Sequence, residues 1–96
     1  MKPSIALEHN REAIRQIVTK HHAHNTRFFG STLHGCDTDT SDLDLLIDTT
    51  PKTTLMDIGA IRHELKKLLG IKVDVLTPNN LPDSFKDQVL KEARLV

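Results

Sequence analysis

The sequence predicts a small domain of the α+β class, a mixed α/β arrangement in which helices flank a small mixed β-sheet. Residues 42–48 and 71–76 alternate apolar and polar side chains, as half-buried strands do. The segments around them carry apolar residues at the spacing of amphipathic helices. Because 96 residues form one hydrophobic core and are too few to divide, we expect a single domain over residues 1–96.

The first predicted helix covers residues 4–24 and ends near Asn25. Charged side chains fall between its apolar positions, which is typical of a helix that packs one face against a core. The apolar positions recur at helical spacing and comprise Ile14, Ile17, Val18 and His21.

Two strands are predicted next. The first occupies residues 26–29 and ends at Gly30, and the second occupies residues 42–48. The apolar residues of the second strand would face the core. Because side chains alternate along a strand, Asp42 and Asp44 would then project together from its other face, about 6.6 Å apart.

A turn around Pro51 leads into the second predicted helix, over residues 55–69. Gly70 follows Lys66 and Lys67, and glycine commonly ends a helix at that position. The apolar stripe of this helix consists of Leu55, Ile58, Ile61, Leu65, Leu68 and Leu69.

The third strand is predicted at residues 71–76, where its valines would face the core and Asp74 the opposite side. A loop at residues 77–82 separates this strand from a last helix. Ser84 and Asp87 resemble a capping box at the start of that helix. Its apolar residues are Phe85, Val89 and Ala93.

Composition limits the partners that the chain can have. Its 13 basic and 13 acidic residues balance, so there is no positive footprint for general nucleic-acid binding. No apolar run reaches the roughly 20 residues that span a bilayer, and the N-terminus lacks the apolar stretch of a signal peptide. The single cysteine, Cys36, cannot form an internal disulfide. We therefore expect a cytoplasmic protein without membrane contact.

Three carboxylates, Asp42, Asp44 and Asp74, are thus predicted on one face of the sheet. Converging carboxylates repel one another, and a divalent cation relieves that conflict. Mg²⁺ prefers oxygen ligands and often combines one or two carboxylates with phosphate oxygens. Two such ions about 3.5 to 4 Å apart can stabilise both oxygens of a displacement at phosphorus. The pattern therefore indicates a metal site that works on phosphate.

The turn at Gly30 and Ser31 would supply the phosphate contacts. Glycine lets backbone amides approach a phosphate closely, and the serine hydroxyl can donate to it. A short helix over residues 32–35 would add the favourable charge of a helix amino end. A glycine-serine pair alone is weak evidence, but the three aspartates make the combination specific.

These residues closely resemble the signature of the minimal nucleotidyltransferases of the DNA polymerase β superfamily. That signature is Gly-Ser, about ten residues and Asp-x-Asp, and it matches Gly30-Ser31 and Asp42-Leu43-Asp44. The resemblance covers nearly the whole chain and implies a polymerase β-like fold. It implies that Asp42, Asp44 and Asp74 are catalytic and bind the metals, while Gly30 and Ser31 bind the nucleotide. Asp74 would also help to activate the acceptor hydroxyl.

The resemblance also implies a function. Free-standing members of this size are similar to the antitoxins of two-gene modules, in which the partner is a HEPN ribonuclease toxin. The implied reaction is AMPylation, the Mg²⁺-dependent transfer of AMP from ATP to a tyrosine hydroxyl of that toxin. Many relatives read Gly-Ser-x-Ala-Arg-Gly, whereas this chain has His34 in place of the arginine. That exchange bears on nucleotide affinity and not on the fold, and the arginine is either a phosphate ligand or structural.

Two other functions stay open at this point. The chain could be an antitoxin that acts by binding alone, with an idle nucleotide site. It could also be a nucleotidyltransferase for small molecules, although relatives of that kind usually carry an additional substrate domain. Intact candidate residues favour an enzyme, because gathering acids on one sheet face is electrostatically costly.

Two other metal sites are less consistent with the pattern. Asp37, Asp39, Ser41 and Asp48 match the oxygen positions of a calcium loop, but Asp42 stands where that loop requires glycine. We interpret the first two aspartates as solvating a turn and Asp48 as lying at the rim of the site.

The histidine-rich segment at residues 21–24 could suit a transition metal, yet no matching pair of ligands lies nearby in sequence. We interpret these histidines as contacts to the carbonyls at a helix end.

Overall fold

The computed structural model describes residues 1–96 and has the mixed α+β architecture that the sequence predicts. Four strands form one sheet in the order β3-β2-β1-β4. Strand β2 runs antiparallel to β1 and parallel to β3, and β4 runs antiparallel to β1. The elements in chain order are α1 (Pro3–His9), α2 (Arg11–Lys20), β1 (Ala23–Phe29), β2 (Leu43–Thr49), α3 (Leu55–Leu69), β3 (Val73–Leu76), a 3₁₀ turn (Pro78–Asn80), α4 (Lys86–Glu92) and β4 (Arg94–Leu95).

The helix predicted over residues 4–24 is in fact two helices, so that prediction was wrong in its extent. Asn10 separates α1 from α2, and its side-chain amide donates to the Ala6 carbonyl at 2.8 Å. The second helix ends at Lys20, and His22, two residues later, has a left-handed φ of 65°. A second left-handed residue, Asn25 with a φ of 54°, lies inside β1, where the register with β2 shifts. Histidine and asparagine are among the residues other than glycine that adopt this conformation most readily.

The helix ends also differ from the prediction. Ser84 and Asp87 do not form a capping box, because α4 begins after Phe85 and has no side-chain cap. A capping box exists instead at α3, where Thr54 and Asp57 each accept a hydrogen bond from the other's backbone N–H, at 3.1 and 2.9 Å. The predicted glycine end of α3 is confirmed, since Gly70 has a φ of 68°.

Apolar side chains are buried on both faces of the sheet. Helices α1, α2 and α3 supply the larger cluster, together with the apolar face of β2. A smaller cluster on the other face involves α4 and consists of Phe29, Leu46, Leu81 and Val89. The aspartates lie on this second face, so α4 covers only part of the surface on which they lie.

The apolar stripe of α3 is narrower than predicted. Ile61, Leu65 and Leu69 are buried, whereas Leu55 and Leu68 are 86% and 44% exposed. The two-residue strand β4 was not predicted at all, because its pairing with Arg27 and Phe28 has no local signature. None of the helices has the length and apolar character that crossing a bilayer demands.

Candidate functional site

The turn after β1 leaves a run of backbone N–H groups without protein acceptors. Gly30 has a φ of 74°, and its carbonyl accepts from the His34 N–H at 3.2 Å. The N–H groups of Ser31, Thr32 and Leu33 donate to no protein group. Residues 32–35 do not begin a helix, as the sequence would have allowed, but form a series of turns. Successive free amides in such a turn nevertheless suit an anion.

Gly30 lies directly against the carboxylate of Asp44. A β-carbon at residue 30 would overlap Asp44 Oδ2 and would lie 3.4 Å from Asp44 Cγ. Only glycine therefore allows this approach without displacing the carboxylate, and its positive φ adds a second reason. The turn and the acidic strand consequently form one continuous surface.

The pairing of strands aligns two of the three predicted aspartates. Asp44 in β2 is the direct partner of Asp74 in β3, and on its other side Asp44 is the partner of Phe29 in β1. Asp42 immediately precedes β2, which begins one residue later than predicted. Asp42 and Asp44 are partly buried, whereas Asp74 is exposed on an edge strand.

Among the three aspartates, Asp44 has a raised pKa. Burial, followed by the charges of Asp74 and Asp42, raises the pKa of Asp44 to about 6. Each cause disfavours the ionised carboxylate. An incoming cation would relieve this conflict.

The donor set fits a hard divalent cation that a ligand completes. No three histidine, cysteine, aspartate or glutamate side chains are grouped closely enough to hold a metal unaided. Mg²⁺ needs only one or two carboxylates when phosphate oxygens and water fill its other positions. Asp44 and Asp74, aligned by register, are residues of the type that such a site requires.

Asp48 shares the acidic face of β2 but is neutralised within the protein. Its carboxylate accepts from Arg27 Nη2 at 2.5 Å and from Asn25 Nδ2 at 2.7 Å. The side chain of Arg27 is only 14% exposed. This pair ties β1 to β2 beside the site.

Asp37 does not merely solvate a turn, and that interpretation was wrong. It is buried, and one of its oxygens accepts from the Ser4 backbone N–H at 2.8 Å. Burial alone would raise the pKa of Asp37, but the hydrogen bonds from Ser4 prevail and lower it. Asp37 therefore anchors the first turn of α1, while Asp39 stays exposed.

The histidines after α2 contact carboxylates and not helix carbonyls. His21 Nε2 bonds to Glu64 of α3, and His22 Nδ1 lies 3.4 Å from Asp57 Oδ2. The hydrogen bond from His21, and then that from Lys20, lowers the pKa of Glu64. These contacts join α2 to α3, which is a structural role.

A cleft of about 250 Å³ adjoins the turn, and sequence reasoning missed it. His34 Nε2 lies 3.3 Å from one oxygen of Glu92 in α4, and the other oxygen accepts from Gln88 Nε2 at 3.4 Å. Phe85 also lines the cleft and is 40% exposed, although the sequence placed it among apolar helix residues. In the sequence, an aromatic residue near Gln88 and Glu92 does not indicate a binding cleft. The cleft exists only because α4 packs against the turn.

Thr32 is a second residue that the sequence did not single out. The side chain is 8% exposed, and its hydroxyl oxygen is buried without a hydrogen-bond partner. A buried hydroxyl without a partner costs about 1 to 3 kcal/mol relative to a paired one. The turn therefore contains an unsatisfied polar group beside its free amides.

Comparison with known families gives a match over most of the chain. The profile of the family described as Polymerase beta, Nucleotidyltransferase matches residues 12–96. A protein of Methanocaldococcus jannaschii that carries the name of a protein adenylyltransferase is 36% identical over 77 residues. The aligned region covers 80% of this chain and 83% of that relative.

Two solved structures share the fold. A minimal nucleotidyltransferase superposes with a TM-score of 0.86 at 34% identity, over 97% of this chain and 95% of the other. A crystal structure of a toxin-antitoxin with AMP-PNP superposes with a TM-score of 0.74, over 90% of this chain and 71% of that chain. Because identity to the latter is 17%, that likeness concerns the fold alone.

Proposed function

Because this chain belongs to the polymerase β family of nucleotidyltransferases, we propose that it transfers AMP from ATP to a tyrosine hydroxyl of a cognate HEPN ribonuclease toxin and so neutralises it. The observation that carries the proposal is the alignment of Asp44 with Asp74 directly beside Gly30. The name of the Methanocaldococcus relative supports a protein acceptor. The toxin-antitoxin structure with AMP-PNP supports a nucleotide and a toxin partner.

In this proposal the turn binds the triphosphate. The free N–H groups that follow Gly30 and the hydroxyl of Ser31 donate to phosphate oxygens. Their positions are set by the end of β1 and by the close approach of Gly30 to Asp44. The chain therefore orients ATP mainly through backbone N–H groups. These groups do not depend on the side chain at position 34, where this chain has His34 and many relatives have arginine.

The three aspartates would hold Mg²⁺, with two ions expected. Bound Mg²⁺ neutralises phosphate charge and stabilises the oxygens that enter and leave at phosphorus. Asp44 lies between Asp74 and the turn, so it would hold a cation beside the bound phosphates. Asp42 adds a carboxylate from the segment that leads into β2.

The acceptor would approach at Asp74. This residue is exposed and lies on the edge strand β3, where a large partner can reach it. Asp74 takes the proton as the tyrosine oxygen attacks the α-phosphorus. The bond from that phosphorus to the bridging oxygen breaks, and pyrophosphate leaves. AMP remains on the toxin.

The direct test combines the purified protein, the product of its neighbouring gene, Mg²⁺ and ATP labelled at the α-phosphate. Label is expected on the neighbour's tyrosine, and Asp44→Asn should abolish it. Asp39→Asn is the matched control, because Asp39 is an exposed aspartate of the loop before β2, and it should transfer AMP normally.

The outcome also separates the alternative functions. If Asp42→Asn and Asp44→Asn still neutralise the toxin fully, the chain acts by binding alone. If label appears on a small hydroxylated molecule and never on the neighbour, the protein is a small-molecule nucleotidyltransferase.

A further inference from the structure

The cleft between the phosphate turn and α4 is continuous with the nucleotide site, because Gly30 belongs to both. We propose that this cleft binds the adenine base of ATP. The assignment rests on the proposed use of a nucleotide, and it adds a base-recognition subsite that the glycine-serine turn and the aspartates do not supply.

The lining of the cleft suits a flat heteroaromatic ring. Phe29 and Phe85 both line it, the first 8% exposed and the second 40% exposed. An exposed aromatic ring can stack on any base. Whole-ligand pockets usually measure roughly 300 to 1,000 Å³. The volume of about 250 Å³ is smaller, so it suits one part of a nucleotide, such as the base.

A chain of polar side chains gives the cleft a preference among bases. The two oxygens of Glu92 are engaged separately, one by Gln88 Nε2 and one by His34 Nε2. A carboxylate only accepts hydrogen bonds, so Glu92 orients the Gln88 amide with its nitrogen toward Glu92. The Gln88 carbonyl oxygen is then left free to accept a hydrogen bond.

That orientation favours adenine over guanine. The exocyclic amine of adenine can donate to the free Gln88 carbonyl, whereas guanine presents a carbonyl oxygen at the corresponding position. Two facing acceptors repel, so guanine would have to turn the amide away from Glu92. This also gives His34 a function: it shares in fixing Glu92, and through it Gln88.

The test measures affinity for ATP, GTP and inorganic tripolyphosphate by calorimetry with Mg²⁺ on the full chain. Phe85→Ala is expected to weaken ATP binding about tenfold, which corresponds to the loss of one stacking contact between a base and an aromatic ring. Tripolyphosphate has no base, so its affinity should be unchanged. Gln88→Ala should reduce the preference for ATP over GTP by about fivefold, the value of one hydrogen bond.

Leu90→Ala is the matched control. Leu90 is a 38% exposed apolar residue of α4 that does not line the cleft, and its loss should alter none of the three affinities. Melting temperatures establish that each variant is folded. Phe85 and Gln88 are both exposed, so their truncation should change the melting temperature little.

Three results would overturn the subsite. The first is a wild-type affinity for ATP no greater than that for tripolyphosphate. The second is an unchanged ATP affinity in Phe85→Ala. The third is a loss of affinity in Phe85→Ala that is equal for ATP and tripolyphosphate. These results leave AMP transfer standing as the function. Conversely, the expected binding pattern without AMP transfer would refute the proposed function and keep the subsite.

Discussion

The α-carbon of Gly30 faces the carboxylate of Asp44 with no room for a β-carbon between them. This approach brings the end of β1 against Asp44, which lies between Asp42 and Asp74 in the group of three aspartates. The free amides of the turn and the aspartates thereby act on one ligand, because a phosphate held by the turn lies beside Asp44.

Gly30→Ala should strongly impair AMP transfer. The added methyl group would overlap Asp44 Oδ2, and the φ of 74° would cost alanine about 1 to 2 kcal/mol of stability. Displacing Asp44 by about 1 Å is expected to reduce the transfer rate about 100-fold. Single-turnover transfer and urea unfolding measure the two effects.

Gly35→Ala provides the control for Gly30→Ala. Gly35 has a similar φ of 70°, but a β-carbon there would meet nothing within 4 Å. It should show the loss of stability and retain AMP transfer. Equal transfer rates in the two variants would mean that the overlap with Asp44 is unimportant.

Asp44→Asn should stabilise the metal-free protein at neutral pH. The pKa of Asp44 is raised from 3.8 to about 6, so the folded state alone binds a proton between these values. Stability contributed by this group is present below about pH 4 and is lost as pH rises through about 6. Removing the charge should raise the free energy of unfolding by about 1 to 2 kcal/mol near pH 7, after allowance for solvent screening.

The pH dependence distinguishes this effect from general stabilisation. In urea unfolding with EDTA, the gain from Asp44→Asn should disappear below about pH 4, where the aspartate is protonated in both states. Asp74→Asn should give a smaller gain in the same pH range, because it removes one of the charges near Asp44. A gain that is independent of pH would contradict the assigned cause.

Thr32→Val should stabilise the protein by about 1 kcal/mol, since valine keeps the shape and removes a buried hydroxyl without a partner. Thermal unfolding measures the change. Thr32→Ser keeps the hydroxyl and removes the methyl group, so it should be destabilising by about 1 kcal/mol. A loss of stability in Thr32→Val would show that the hydroxyl has a partner in solution.

Asp48→Ala should reduce the free energy of unfolding by about 2 kcal/mol, because it leaves the largely buried Arg27 unpaired. Glu8→Ala removes an exposed ion pair with Arg11 and should cost under about 0.5 kcal/mol. Both variants should transfer AMP at normal rates after correction for the folded fraction. A specific loss of transfer in Asp48→Ala would place Asp48 within the site.

The predicted part of the site follows from local alternation. In β2, the apolar residues on one side require Asp44 to face the other side, and the same repeat turns Asp74 outward in β3. The glycine that ends α3 was also predictable from the sequence, because glycine commonly occupies the left-handed position that follows a helix. Burial preference determines the facing of the aspartates, and the left-handed backbone that glycine adopts determines the end of α3.

The remaining features depend on which distant segments pack together. The register that pairs Asp44 with Asp74, the contact between Asp37 and Ser4, and the cleft between the turn and α4 have no local periodicity. The break at Asn10 is local, since the Asn10 amide bonds to the Ala6 carbonyl, but the apolar spacing on either side of it predicts one helix. Sequence alone established the fold class and the facing of the aspartates, since alternation reports burial residue by residue. Only the packing of the elements determined which charges meet, because those distances are set between chain segments and not within them.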